Sequence, residues 1–203
     1  MALKTSVKVS KVGNLHDARY CAGMGVDMIG IPVSEGMEGY IPSENFTEIV
    51  GWLAGVKYVG EITSVDVEKL GEYKLDYIEA TTSAEVEQLK ALGTPIILKL
   101  EEVLERPAEV EELLAKYESE VAFFILELKE IPSGAEEGWL AGLSEKYSVW
   151  LKGAINVENV HEVLDTFSPK GLVLTGSEEI KTGVNDFDAL ADVLEALDTD
   201  EYA

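Results

Sequence analysis

Eight times along the chain a short apolar run gives way to a turn and then to an amphipathic stretch, and this alternation restricts the possible folds most. The first unit shows the pattern. The run Val7-Lys-Val-Ser10 is followed by a turn at Gly13-Asn14 and a helical stretch with Ala18, Cys21 and Ala22 on one face. Gly25 stops that helix, and Met28 to Val33 begins the second strand, which Pro32 ends early or makes irregular. Strand, helix and strand joined this way make a parallel βαβ unit.

The later units repeat it. Ser43 is the expected N-cap of a helix carrying Phe46, Ile49, Val50 and Leu53, and residues 56–62 form the third strand. A short helix over 64–70 precedes a strand over 75–80, and Thr82 with Glu85 spells a capping box. Residues 96–100 are the fifth strand, and Pro107 suits the first turn of the helix after it. The run over 121–128 reads as a strand buried on both faces, followed by a helix around Trp139, Leu140 and Leu143. Residues 148–152 and 171–175 complete the strands. Between them Asn156 is the expected cap of a helix with Val160, Val163, Leu164 and Phe167, ended by Ser168-Pro169. Phe187, Leu190, Leu194 and Leu197 mark the last helix, and the acidic residues 198–203 read as a frayed tail.

Parallel strands with right-handed crossovers, eight of each, close into a (β/α)8 TIM barrel. An open doubly wound sheet is the rival, but the first turn lacks its GxGxxG phosphate loop. No linker divides the 203 residues, so 1–203 reads as one α/β domain. The 39 acidic against 16 basic residues give a net charge of −23, which repels phosphate backbones and anionic lipid and makes nucleic acid and membrane poor partners. The single Cys21 allows no internal disulfide, and no leader or membrane-spanning run is legible, so a reducing, cytoplasmic setting is expected. Cys21 reads as packing. His16 and His161 stand alone near helix starts, and no metal or cofactor is called for.

Barrel active sites lie at the C-terminal ends of the strands. Here these ends are Ser10-Lys11, Ser34-Glu35, Glu61, Glu79, Lys99, Glu127 with Lys129, Lys152, and Thr175-Gly176-Ser177-Glu178. Glu127 interrupts an apolar run, and alternation puts Ile125, Glu127 and Lys129 on one face. Two readings stand side by side: Lys99, Glu127 and Lys152 are working groups, or they form a structural ion-pair ring. After strands seven and eight, Lys152-Gly153-Ala154 and Thr175-Gly176-Ser177 place glycines where barrel loops hold phosphate.

The sequence resembles the phosphoribosylanthranilate isomerases. Val7-Lys-Val-Ser10 with Asn14-Leu-His-Asp-Ala-Arg19 and Gly25-Val-Asp27 is similar to their Lys-Ile-Cys-Gly-Ile-Thr opening and first helix. Gly30-Ile through Tyr40-Ile-Pro-Ser is likewise similar to the opening of that family, and Phe124-Ile-Leu-Glu-Leu-Lys129 resembles its sixth-strand segment. Leu151-Lys-Gly-Ala-Ile-Asn-Val-Glu-Asn-Val160 resembles their Gly-Gly-Leu-Asn-Pro-Glu-Asn-Val, and the segment from Gly176 to Asp186 their last phosphate loop. The resemblance implies a cofactor-free (β/α)8 barrel that performs an Amadori rearrangement in tryptophan biosynthesis on a phosphorylated small molecule. It places Ser10 at the general-base cysteine, Lys11 at the glycine after it and Glu127 at the general-acid aspartate. Gly39 falls at a substrate-binding arginine, Thr81-Thr82 at a His-Gly pair and Gly153-Ala154 at a phosphate-binding Gly-Gly. Because an alcohol is a poor base unless another group takes its proton, weak or lost activity is expected. Lys11 is an alternative base. A non-catalytic barrel binding a phosphometabolite or a partner, and an imine-forming enzyme using Lys99, Lys129 or Lys152, are the other readings.

Overall fold

The computed structural model describes residues 2–176, 178–181 and 184–199. Eight parallel strands close on themselves in chain order: β1 (Ser6–Ser10), β2 (Met28–Pro32), β3 (Lys57–Glu61), β4 (Tyr77–Ala80), β5 (Ile96–Leu100), β6 (Phe123–Leu128), β7 (Val149–Gly153) and β8 (Gly171–Thr175). Closure is made by β1 on β8, in register from Ser6 opposite Gly171 to Ser10 opposite Thr175. The intervening helices are α1 (Leu15–Gly23), α2 (Ser43–Trp52), α3 (Val67–Leu70), α4 (Ser83–Leu89), α5 (Pro107–Tyr117), α6 (Ala135–Lys146) and α7 (Val160–Phe167), with α8 (Asp188–Ala196) after β8. The (β/α)8 barrel is therefore the fold. Among the described residues no helix is long and apolar enough to cross a membrane.

Both faces of every strand are covered, so two apolar layers form. The larger lies between sheet and helices and contains, among others, Val7, Val9, Ile29, Ile31, Leu98, Leu126 and Leu151, with Ala18 and Cys21 of α1 and Leu190 and Leu194 of α8. The smaller fills the lower barrel interior with Met28, Val59, Ile97, Phe123, Ile125, Trp150 and Val173. Its ring packing is tight: Trp150 stacks on Phe123 at 4.6 Å between centroids. Cys21 is buried and its thiol is pushed up to about 12 by burial first and then by Asp17, which makes it inert packing.

Local signals held at several ends and failed at others. Thr82 and Glu85 form the capping box, and Pro107 opens α5. Ser43 is not a cap: it is the first residue of α2, and its hydroxyl donates to Glu72. Asn156 caps a turn rather than α7, its Oδ1 accepting from the amides of Glu158 and Asn159. Between β8 and α8 the chain makes an antiparallel pair, β9 (Glu178–Lys181) with β10 (Val184–Asp186), in place of a plain loop. Asp198 bridges Leu3 and Thr199 bonds Ala2, so the start of the acidic tail is tied to the N-terminal segment, while residues 200–203 lie outside the described residues.

Candidate functional site

Strand register decides which side chains share the interior. Lys8 and Ser10 of β1, Glu61 of β3, Glu79 of β4, Lys99 of β5, Glu127 of β6, Lys152 of β7 and Thr175 of β8 all lie on inward positions. They form the upper half of the interior, above the apolar layer, at the C-terminal ends of the strands.

At the centre is Lys8, whose side chain is wholly buried. Its ammonium has three donors and uses all of them: to Glu61 Oε1 at 2.6 Å, Glu79 Oε2 at 2.7 Å and Ser10 Oγ at 2.9 Å. Burial opposes the charge, but the two carboxylates outweigh it and hold Lys8 above the ordinary lysine range. Glu61 is held below its ordinary range: burial works against this, and Lys8, the Lys11 amide and the Ser10 hydroxyl overcome it. Gly30 makes the pair possible, since a Cβ there would fall on the Glu61 carboxylate.

The ladder continues around the wall. Lys99 lies 3.9 Å from Glu79, 3.7 Å from Glu127 and 2.8 Å from Glu101. Burial pulls Lys99 down, and Glu101, Glu79 and Glu127 raise it above the ordinary lysine value. Lys152 reaches Glu127 at 3.1 Å. Lys99, Glu127 and Lys152 are thus joined as one ion-pair chain. Lys129 is not part of it: β6 ends at Leu128, and Lys129 turns outward to Glu105 at 2.7 Å and Glu102 at 3.6 Å.

A pH signature follows from the pair. Glu61 is depressed on folding, so its stabilisation is complete above the free carboxylate value near 4.5 and is lost as pH falls below it. Lys8 is raised, so its contribution is complete below 10.5 and lost only above that. Urea midpoints measured from pH 7 to pH 3 should stay level to about pH 5 and then fall; Glu61→Gln should flatten part of that fall.

At the rim, Lys11 adopts φ +58°, a left-handed conformation that costs a non-glycine residue roughly 1–2 kcal/mol. Its side chain is exposed, and its amide donates to Glu61 Oε2 at 3.0 Å. The next loops are closely packed. Gly39 has φ +72°, and a Cβ on Gly13 would lie 3.0 Å from the Gly39 Cα, so the loops after β1 and β2 touch backbone to backbone.

The two glycine loops meet across a cavity of about 260 Å³ lined by Gly153, Ile155, Thr175 and Gly176 on one side and Ala189, Leu190 and Val193 of α8 on the other. Gly153, at φ +121°, passes so near Leu128 that a Cβ would fall on its carbonyl oxygen. The Ala154 amide donates to Leu128 O at 3.3 Å, that of Ile155 to Gly153 O at 2.6 Å and that of Gly176 to Ser10 O at 2.9 Å. Ser177 lies outside the described residues. His16 and His161 are exposed on α1 and α7, away from the interior.

Of the sequence candidates, Ser10, Glu127 and Lys152 share the interior, Lys11 supplies its backbone, and Gly153, Ala154, Thr175 and Gly176 gather at the neighbouring loops. Lys8 was missed. Its signal was alternation itself: a lysine at a strand position that register assigns to the barrel interior.

A closed eight-stranded parallel barrel with charged side chains collected at its C-terminal mouth defines the class as a (β/α)8 barrel. No protein-family model matches the sequence. The N-(5'-phosphoribosyl)anthranilate isomerase of Aquifex aeolicus is 28% identical over 189 residues, covering 89% of this chain and 92% of its own. The phosphoribosylanthranilate isomerase structure from Thermus thermophilus is 26% identical with a TM-score of 0.75, covering 95% of this chain and 98% of its own. A phosphoribosylanthranilate isomerase solved with reduced 1-(o-carboxyphenylamino)-1-deoxyribulose 5-phosphate superposes with a TM-score of 0.74 at 19% identity, covering 95% and 98% of the two chains. Over most of its length, in sequence and in fold, the chain is similar to the phosphoribosylanthranilate isomerases.

Proposed function

We propose that this protein binds a phosphorylated small molecule beside β7 and β8 and isomerises phosphoribosylanthranilate weakly or not at all. The observation that carries the second half is the state of Ser10. An Amadori step needs one group to take a proton from the sugar carbon and another to give one to the ring oxygen. Ser10 is buried with its oxygen accepting from a fully engaged ammonium, and it lies against a carboxylate held below its ordinary range. A poor base is thus fixed in place by its neighbours. Lys11, the other candidate base, has an exposed side chain, so burial does not favour its neutral form. Glu127, the candidate acid, is paired with Lys152.

The ligand half rests on the converging glycine loops, with Lys152 and Thr175 beside Gly153, Ala154 and Gly176, and on the phosphate-bearing ligand of the related complex. Ser177 belongs to the same proposed loop. Imine chemistry has less support. Of its candidates, Lys99 and Lys129 are held above the ordinary lysine range by neighbouring carboxylates, whereas an imine-forming lysine must be a neutral amine.

Two measurements test this. The unmodified chain should fail to restore growth of a tryptophan auxotroph lacking the isomerase; robust growth refutes the catalytic half. Titration calorimetry should show ribose 5-phosphate binding that Gly176→Val removes, because a Cβ there would sit 2.9 Å from the Ser10 carbonyl oxygen. No binding by the unmodified chain refutes the ligand half.

A further inference from the structure

We infer that Glu61 is a positioning residue, one whose carboxylate holds the Ser10-Lys11 turn and, through it, the Gly176 wall of the ligand cavity. The inference deepens the ligand reading above and rests on it for its binding readout only.

The chain of contacts is short. Glu61 is buried at the end of β3 and divides its two oxygens between two tasks. Oε1 accepts from Lys8 Nζ, which fixes the carboxylate, and Oε2 accepts from the Lys11 amide at 3.0 Å. That amide belongs to a residue in the left-handed region, a conformation lysine does not favour by itself. An acceptor with negative charge at the amide is what opposes its relaxation, since hydrogen bonds to charged groups are among the stronger ones. The same turn presents the Ser10 carbonyl, which accepts from the Gly176 amide at 2.9 Å. Gly176 and Thr175 form the β8 wall of the cavity. Relaxation at Lys11 therefore moves the Ser10 carbonyl and releases Gly176.

Glu79 supplies the control. It accepts from the same Lys8 ammonium, at 2.7 Å, and has no bond to the turn. Loss of charge around Lys8 is common to Glu61→Gln and Glu79→Gln, whereas loss of the amide acceptor is particular to Glu61. A glutamine at 61 that keeps its oxygen on Lys8 turns an N–H toward the Lys11 N–H.

The test combines amide hydrogen exchange by NMR with calorimetric titration of inorganic phosphate and ribose 5-phosphate. In Glu61→Gln, exchange at Lys11 and Gly176 should rise about tenfold or more, the scale set by losing one hydrogen bond to a charged acceptor. Affinity for either ligand should fall by a similar factor. In Glu79→Gln both readouts should stay near the unmodified values even if the melting temperature drops. Adding Lys11→Gly to Glu61→Gln should restore slow exchange at Gly176 and the affinity, though not exchange at the position 11 amide, because glycine adopts the left-handed conformation without help and the Lys11 side chain is exposed. A merely structural role for Glu61 is not repaired by that second change. If Glu61→Gln does not fold, Glu61→Asp takes its place; it keeps the charge Lys8 needs but is one methylene too short to serve both partners. Unchanged exchange at Gly176, equal effects of Glu61→Gln and Glu79→Gln, or no rescue by Lys11→Gly each overturns the inference. Should the unmodified chain bind neither ligand, the ligand reading fails, and the exchange pattern alone decides the role of Glu61.

Discussion

Lys8→Met should destabilise the fold by about 3–5 kcal/mol, the cost of leaving buried carboxylates without their counter-charge. Lys8 is the shared partner of Glu61 and Glu79, which lie opposite each other on neighbouring strands and are both almost fully buried. Without the ammonium between them, two like charges face one another in the barrel interior, and at least one must take up a proton or drag water in. For a chain of this length that loss corresponds to a melting temperature lower by roughly 6–20 °C. The companion measurement separates charge from packing. Replacing Lys8, Glu61 and Glu79 together by Met, Leu and Leu should recover most of the loss, because a buried ion triad is often matched by apolar residues of similar volume. If Lys8→Met unfolds at the same denaturant concentration as the unmodified chain, the triad is not a structural keystone.

The second large effect is catalytic. Ser10→Cys with Glu127→Asp should raise phosphoribosylanthranilate isomerisation by at least about 10²-fold, since a positioned acid or base contributes roughly 10²–10⁴ each. A thiol at position 10 would meet the Lys8 ammonium that now contacts Ser10 Oγ at 2.9 Å, and a nearby cation lowers a thiol's pKa toward the range where it serves as a base. The shorter acid moves its carboxyl back from Lys152, which Glu127 now reaches at 3.1 Å. Rate measurements on the purified double variant against the unmodified chain decide it. No gain would mean that the Gly13–Gly39 contact, or the charge ladder itself, excludes the substrate.

The barrel was legible because its signal is global. Eight apolar runs with turns between them leave few closed arrangements, and no single boundary error disturbs that count. The ion pairs of Lys99, Glu127 and Lys152 were legible for a related reason: each interrupts an apolar strand near its C-terminal end. Lys8 was not, because Val7-Lys8-Val9 has the alternation of a strand with one wet face. In a closed barrel the second face is not wet, and only the identity of neighbouring strands shows that Glu61 and Glu79 lie within reach. Lys129 and Asn156 failed more locally. Alternation beyond Leu128 presumes that the strand continues, and an Asn before a helix can cap a preceding turn equally well. The β9–β10 pair is short and acidic and gives no apolar alternation to read.

The three tryptophans stand in three different dielectric settings. Trp150 is stacked on Phe123 in the dry interior, Trp139 donates its indole N–H to Glu111 at 2.6 Å on the helical layer, and Trp52 is 67% exposed beneath Arg19. An indole sealed among aliphatic and aromatic neighbours emits at shorter wavelength than one in water, and dissolved collisional quenchers cannot touch it. The molecule therefore carries its own optical gauge. Emission that survives acrylamide reports on Trp150, two residues from Lys152 on the same inward row, and a red shift of that component marks water reaching the barrel interior.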